Sequence, residues 1–460
     1  MGLSVLGIAA VAILLPAWPR FFEVDDPPLT PARGYRLFDE DSFFRRYEDL
    51  RQNIFEGPLG ADDLPRFTPF IHDESLLARV GPALDLLATE PRRSRRELYA
   101  ILMKAPPDAE LLYDFLVVAF DKAMTSALDN CRSGPIYGWN WAYAAEAALE
   151  AYEATRQVRF LDLVGTTGDL VIADRDDRHG RTDQFRGRVL ESWGHCSEHI
   201  EAEYTNVITH AGRIAYPLLR YAEIVRADKT LEPGHGLRGQ RFLDAAAEAL
   251  DAFDDDYRVV PGTDAGYYLR SVRGDVEPLN HVHAAARSYV LLHALTGEAK
   301  YQQRVEELAA WFRAAIVPGE QGVWNWPYAP TPDDLGQSGF DGEETCKAQI
   351  TIGFPVVAAA HEIAFDDSDI AQIVRTFLVH VYRDGRFNTT IDPKFTDLVG
   401  SSTRDPLLAG WIQLGEHEPE IGEIIIDAIA DRRDVFTGGW FGKPVLVLAY
   451  AHRLAGLARP

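Results

Sequence analysis

The sequence predicts an all-α fold, an (α/α) toroid of six or seven helical hairpins. Three observations carry this: a weak repeat of paired helices, a constant difference in apolar pattern between the two helices of a pair, and the lack of any convincing series of alternating strand segments. The first clear unit reads WAYAAEAALEAYEATRQVRFLDLV, an Ala-rich helix, a short break and an aromatic-led second helix. A second runs from Ile214 through Ala227 and restarts at Gly239, with Phe242 leading. The third, AAARSYVLLHALTGEAKYQQRVEELAAWF, breaks at Thr296-Gly297 before Tyr301. The fourth spans Ile350 to Phe365, with Asp366 to Asp369 as its break, and the fifth joins Leu407–Leu414 to Ile421–Ala430. Upstream, Asp41–Phe55, Glu74–Thr89 and Asp108–Leu128 are amphipathic.

In each unit the first helix is apolar nearly all round, whereas the second keeps a charged face. That difference predicts an inner ring of buried helices inside an outer, half-exposed ring. A linear solenoid would need polar capping helices, which the pattern does not supply. Hairpins stacked in this way extend one core, so residues 37–460 are read as a single catalytic domain despite their length.

The apolar run Leu3–Trp18 has the length of a signal-peptide core and is short for a spanning helix. Residues 1–20 are therefore read as a signal peptide or membrane anchor, and 21–36, with Pro27, Pro28 and Pro31, as a linker. A secreted or periplasmic protein, with a membrane tether as the alternative, is the resulting expectation. A net charge of −24 with no strong basic run argues against nucleic acid as a partner. Three cysteines, Cys131, Cys196 and Cys346, allow one disulfide and no framework.

The connections leading into the inner helices are long and unusual in composition. They are Ser133–Trp141 (SGPIYGWNW), Asp174–His199 (ending SWGHCSEH), Pro261–His283, Gly319–Glu344 and Phe395–Arg404. Connections at the other end, such as Leu295–Glu298, are short. Long loops on one face of a rigid scaffold are where function concentrates. Trp139, Trp141, Trp193, Trp324, Trp326 and Tyr328 fall in or beside them, and flat rings suit the C–H faces of sugars. A polysaccharide or oligosaccharide is thus the expected partner.

Several polar groups accompany the aromatics. Asn280-His281, with His283, opens an inner helix, where free N–H groups favour a carboxylate or enolate; an ordinary helix cap is the structural alternative for Asn280. Tyr267, Tyr268, Arg270 and Arg273 lie just upstream, and a tyrosine beside an arginine is suited to proton transfer. His210 sits within an apolar inner helix, with Tyr204, Asn206 and Arg213 near it at helical spacing. His195-Cys196-x-x-His199 resembles part of a zinc site but has no second ligand pair, so no metal is expected. The acidic set Asp333, Asp334, Asp341, Glu343 and Glu344 would furnish a glycosidase's two carboxylates, though acidic loops are common in so acidic a chain. No phosphate-cradling or nucleophile-elbow motif is present, and no cofactor is expected.

With YGWNW, the inner-helix His210 and WNWPY before an acidic pair, the chain resembles the helical-toroid polysaccharide lyases related to alginate and glucuronan lyases. As architecture, the resemblance runs from about Tyr137 to the C-terminus. It implies β-elimination on an anionic, uronic-acid-containing polymer. Asn140 and His210 would hold the substrate carboxylate, Arg258 or Arg270 would assist, and Tyr268 would act as base and acid. Asn280-His281 is a competing match for the Asn-His element. Trp139, Trp141 and Trp326 would be sugar platforms, with Tyr204, Arg213, Tyr328, Glu344 and Lys347 also contacting substrate. Where an acid and a histidine are expected, this chain has Glu344-Thr-Cys-Lys347. A uronate C5-epimerase, a glycoside hydrolase or a non-catalytic sugar-binding protein are the rival readings.

Overall fold

The computed structural model describes residues 133–196, 204–270, 274–335, 342–383, 386–392 and 405–430, with scattered positions between 109 and 124. The described residues all fall in one compact unit that begins at Arg46. The apolar run, the linker and the Phe395–Arg404 connection lie outside them. Among the described residues, no helix is long and apolar enough to cross a membrane.

Helices come in pairs, in the order the repeat predicts. α1 (Ala142–Thr155) is followed by α2 (Arg159–Ala173), and α3 (Ile208–Ala227) by α4 (Glu232–Asp251). Next come α5 (Leu279–Thr296) and α6 (Ala299–Ala315). The fourth inner position is divided into α7 (Thr345–Thr351) and α8 (Gly353–Ala360), with α9 (Asp367–Thr376) outside. A 3₁₀ segment, Asp405–Glu416, then pairs with α10 (Pro419–Ala430).

Packing separates the two layers. α1 packs on α3, α3 on α5, α5 on α7 and α8, and α7 on the 3₁₀ segment, which makes a continuous inner row. α2, α4, α6 and α9 each lie on their own inner helix. The inner helices are apolar all round because they are buried all round: from Leu279 to Leu292 in α5, only His281 is partly exposed. Outer helices expose a charged face, as α4 does at Glu232, Arg241 and Asp244. This is the all-α, toroid-type arrangement read from the sequence.

Helix stops follow local chemistry. Gly297 ends α5 in the left-handed region (φ 72°), where a residue without Cβ is unstrained. Asp366 caps α9 in a capping box with Asp369. The outward turns are short, whereas the connections from outer to inner helices are long. Those long connections hold five two-stranded antiparallel ribbons, among them Gly194–His195 with Thr205–Asn206 and Tyr257–Val259 with Gly266–Tyr268. All inner helices therefore begin at the loop-rich end.

The inner row is tightest between α3 and α5. A Cβ built on Gly212 would lie 2.4 Å from Ala285 N and 2.5 Å from Ala285 Cα. Ser288 Oγ donates to Gly212 O across the same contact (3.1 Å). Backbone cannot retreat as a flexible side chain can, so the position has room for glycine only. Replacing it, Gly212→Val, is expected to destabilise the fold by about 3 kcal/mol or more, or to prevent folding. Urea unfolding of the purified variant checks this, with Gly234→Ala, where a Cβ meets nothing within 4 Å, as the tolerant control.

Candidate active site

The residues of interest collect where the inner helices begin. Just before α1, Tyr137–Trp141 forms a π-helical turn, an irregularity often found at functional positions. Gly134 and Gly138, one turn apart, let the helix backbone approach His210 in the first turn of α3. A Cβ on Gly134 would lie 3.0 Å from His210 Nδ1, and one on Gly138 would lie 3.3 Å from its Cδ2. The His210 ring meets Trp139 edge-on at 6.2 Å and His195 at 4.9 Å. His210 is buried, while Trp139 and His195 are half-buried. Burial is the main reason that His210 is held well below the usual imidazole range, with His195 and His281 adding to the effect. His195 is lowered by burial as well. Both rings therefore stay neutral at neutral pH.

Beneath them Arg213 reaches back from α3. Its Nη1 pairs with Glu146 Oε1 at 2.9 Å, and its Nε donates to Gly138 O at 3.2 Å. Arg287 of α5 makes a two-pronged contact with the same Glu146 carboxylate, at 2.8 and 3.1 Å. Burial pushes Glu146 up, but the two guanidinium groups outweigh it and hold the carboxyl below its ordinary value. Two cations against one anion leave this buried cluster positive.

At the start of α5, His281 Nδ1 lies 3.1 Å from Glu277 Oε2. Glu277 is buried, and Arg270 Nε donates to the same oxygen at 3.3 Å. Burial opposes its charge, but His281 and then Arg270 overcome that and keep the carboxyl low. A carboxylate can only accept, so His281 donates to Glu277 through Nδ1–H. Leu279 N donates to Tyr328 O at 2.9 Å, which brings the Gly319–Glu344 connection beside this helix start. Lys347 Nζ lies 4.1 Å from the Tyr328 ring centre and 2.9 Å from Glu344 Oε1. Burial, with Glu343 nearby, pushes the Tyr328 hydroxyl up to about 12.

Several polar atoms here are buried without a hydrogen-bond partner in the protein. They are His195 Nδ1, Asn206 Oδ1, Thr209 Oγ1, His210 Nδ1, Arg213 Nη2 and Asn280 Oδ1. Buried polar atoms are paired in the great majority of cases, so a cluster of such atoms, donors and acceptors together, marks a place that an outside hydroxyl-rich partner can complete.

Other sequence expectations need correction. Tyr268 is wholly buried; its hydroxyl bonds to Tyr289 (2.7 Å) and to Arg304 of α6. Burial outweighs Arg304 and raises it to about 12, so the expected arginine-lowered base is a core group. Arg258 projects from an exposed ribbon strand and donates to Asp255 O and Tyr257 O. Trp141 and Trp326 are fully buried, with their indole N–H groups on Thr167 (2.9 Å) and Glu343 (2.6 Å). Neither can be a sugar platform. The Tyr204 hydroxyl is engaged by Asp176 at 2.6 Å. Asn140 is half-buried on the π turn beside Trp139. Arg270 serves Glu277, and Glu344 and Lys347 pair with each other. Cys196 is disulfide-bonded, so it offers no thiolate for zinc. His199 and Arg273 lie outside the described residues. Glu277 was missed because its only sequence signal is its i,i+4 spacing to His281.

Glu343, named in the sequence only as one of an acidic set, is also wholly buried. Its Oε2 accepts from Trp326 and from Thr351 Oγ1 (2.7 Å), and burial pushes its carboxyl up to about 8.

No protein-family model matches the chain, and no curated protein matches it. Among solved structures it is similar to a polysaccharide lyase, at 11% identity over 76% of this chain and 99% of that one, with a TM-score of 0.45. It is also similar to an inactive variant of the α-1,6-mannanase of Salegentibacter sp. HEL1_6 in complex with α-1,6-mannotetrose. That match has 11% identity over 70% and 89% of the two chains and a TM-score of 0.43. A third is the unsaturated glucuronyl hydrolase from Bacillus sp. GL1, responsible for glycosaminoglycan degradation, with 14% identity, 70% and 86% coverage and a TM-score of 0.39.

Two predictions follow from these environments. Because the folded protein binds the Glu343 proton more tightly than the unfolded chain does, the stability it contributes is present below about pH 4.5 and is lost as pH rises through about 8. Glu343→Gln, which mimics the protonated carboxyl, should flatten the decline in denaturation midpoint across that window. Trp139→Ala should weaken saccharide binding while leaving Tm within a few degrees, whereas Trp326→Ala should cost about 3–5 kcal/mol of stability by denaturant unfolding.

Proposed function

We propose that the protein is a carbohydrate-active enzyme that cleaves a uronic-acid-containing polysaccharide by β-elimination. The observation that carries this is the cluster of buried, unpartnered donors and acceptors beside the half-buried Trp139 ring, where the inner helices begin. Sugars present both an apolar C–H face and many hydroxyls, and this place matches both.

The reaction removes a proton from the carbon bearing the carboxylate, C5. His281, held by Glu277, takes that proton on Nε2. Electron density moves towards the carboxylate, where Asn280, Arg213 Nη2 and the positive ends of α3 and α5 face it. The C4–O4 bond then breaks, a C4=C5 double bond forms, and the departing oxygen takes a proton from Tyr328, whose hydroxyl burial keeps protonated. Relative to the sequence expectation, His281 replaces Tyr268 as base, and Asn280-His281 takes the role first assigned to Asn140 and His210.

The disulfide at Cys196 supports an oxidising location, in keeping with residues 1–20 as signal peptide or tether and a secreted or periplasmic protein. A second reading, glycoside hydrolysis, would need two carboxyl groups that reach the substrate, which the wholly buried Glu343 does not.

A panel of uronate polysaccharides incubated with the protein separates the two. Elimination creates new ultraviolet absorbance from the unsaturated uronate, and His281→Ala should lower its rate by about 100-fold or more while Tyr268→Phe, if folded, keeps most of it. New reducing ends without that absorbance would show hydrolysis and sink the lyase reading.

A further inference from the structure

His195 is half-buried on a two-residue strand paired with Thr205–Asn206, and one carboxyl group holds the ends of that ribbon together. Asp176 is wholly buried. Its Oδ2 accepts from Gly194 N and Asn206 Nδ2, both at 3.0 Å, and its Oδ1 accepts from the Tyr204 hydroxyl at 2.6 Å. Arg181 Nη1 approaches Oδ1 at 3.4 Å, and the Asp176 amide donates to Ser192 O at 2.9 Å. The residues on both sides of His195 in space are thus tied to a single side chain that lies outside the inner row. A Cβ on Gly194 would meet Tyr204 Cε1 at 2.4 Å and Asp176 Oδ2 at 2.9 Å, so the ribbon is also closed sterically around that carboxyl.

What this clamp delivers is the His195 ring, placed 4.9 Å from His210. His210 is the buried middle ring of three, between the two half-buried rings of His195 and Trp139. The Nδ1 atoms of both histidines are buried without a protein partner. The clamp fixes the ribbon backbone that carries His195, and so sets where its ring lies beside an unpartnered nitrogen.

We infer that His195 is a further substrate-contacting residue of the proposed site, facing Trp139 across His210, and that Asp176 is its positioning residue. The inference rests on the proposed function for the nature of the substrate, not for the clamp. Neutral imidazoles each offer one donor and one acceptor, which suits adjacent sugar hydroxyls. The charged and titratable groups facing His195 are His210 from α3 and, through the clamp, Asp176, Tyr204 and Arg181. Asp176→Asn keeps the shape but replaces one acceptor oxygen with a donor that faces other donors.

Imidazole titration by NMR of the full chain, wild type and Asp176→Asn, tests the clamp. The expected result is that His195 moves up towards the ordinary imidazole range as it swings into solvent, and that His210 shifts with it. If both titrate as in the wild type while Tm falls, Asp176 is merely structural and that arm is overturned. The contact is tested on the polymer that the wild type turns over. His195→Ala should lower kcat/KM by about 100-fold with an unchanged circular dichroism spectrum, and Asp176→Asn should lower kcat with a smaller change in KM. Full activity in His195→Ala overturns the contact. Turnover by hydrolysis sinks the elimination chemistry and leaves His195 to be judged by the same rate. No turnover of any polymer sinks the functional reading and the contact together, while the titration still decides the clamp.

Discussion

A single buried carboxylate, Glu146 of α1, is gripped by Arg213 of α3 and Arg287 of α5, and the architecture of the site depends on it. Each of the three helices contributes one member, so the ion cluster fixes their mutual height and rotation. It adds directional contacts to the close Gly212–Ala285 approach that already sets the spacing of α3 and α5. Removing Glu146 would strand two guanidinium groups in the interior, a loss of about 3–5 kcal/mol. The arginines are themselves stacked on tyrosines, Arg213 on Tyr143 at 4.1 Å and Arg287 on Tyr216 at 3.8 Å, which shields their faces.

That cluster also sets the electrostatics of the site. In a chain of net charge −24, an excess buried cation beside Trp139 and His210 is a local reversal of sign. It lies beneath the first turns of α3 and α5, whose N-terminal ends add to the same positive field. An anion entering from the loop-rich end therefore meets favourable potential here.

The fold was legible in the sequence because burial leaves a periodic record. Five units, each with an apolar inner helix and a half-polar outer one, appear in the structure in the order of the repeat, with the break at Thr296-Gly297 in place. However, α3 and α4 begin earlier than Ile214 and Gly239, and the helix read from Ile350 to Phe365 is divided and ends at Ala360. The contrast between long and short connections was equally legible, since it is a matter of counting residues. Of the candidate residues, Trp139, His210, Arg213, Asn280, His281, Tyr328 and Lys347 lie at or beside the inner-helix starts. Tyr268, Trp141 and Trp326, named from residue type alone, are instead buried in the core. A tyrosine, tryptophan or arginine in a loop next to the site reads the same whether it turns inward to the core or outward to a ligand.

What the sequence determined by itself was the all-α class, the hairpin order and the end at which the long connections gather, because helix amphipathicity and loop length are local properties. What only the tertiary structure decided was which partner each polar group finds. Arg304 meets Tyr268 across 36 residues, Glu146 meets Arg287 across 141, and Asp176 closes on Gly194, Tyr204 and Asn206. Charge state, tautomer and availability follow from such pairings. They are made by chain segments distant in sequence, and no local pattern encodes the distance between them.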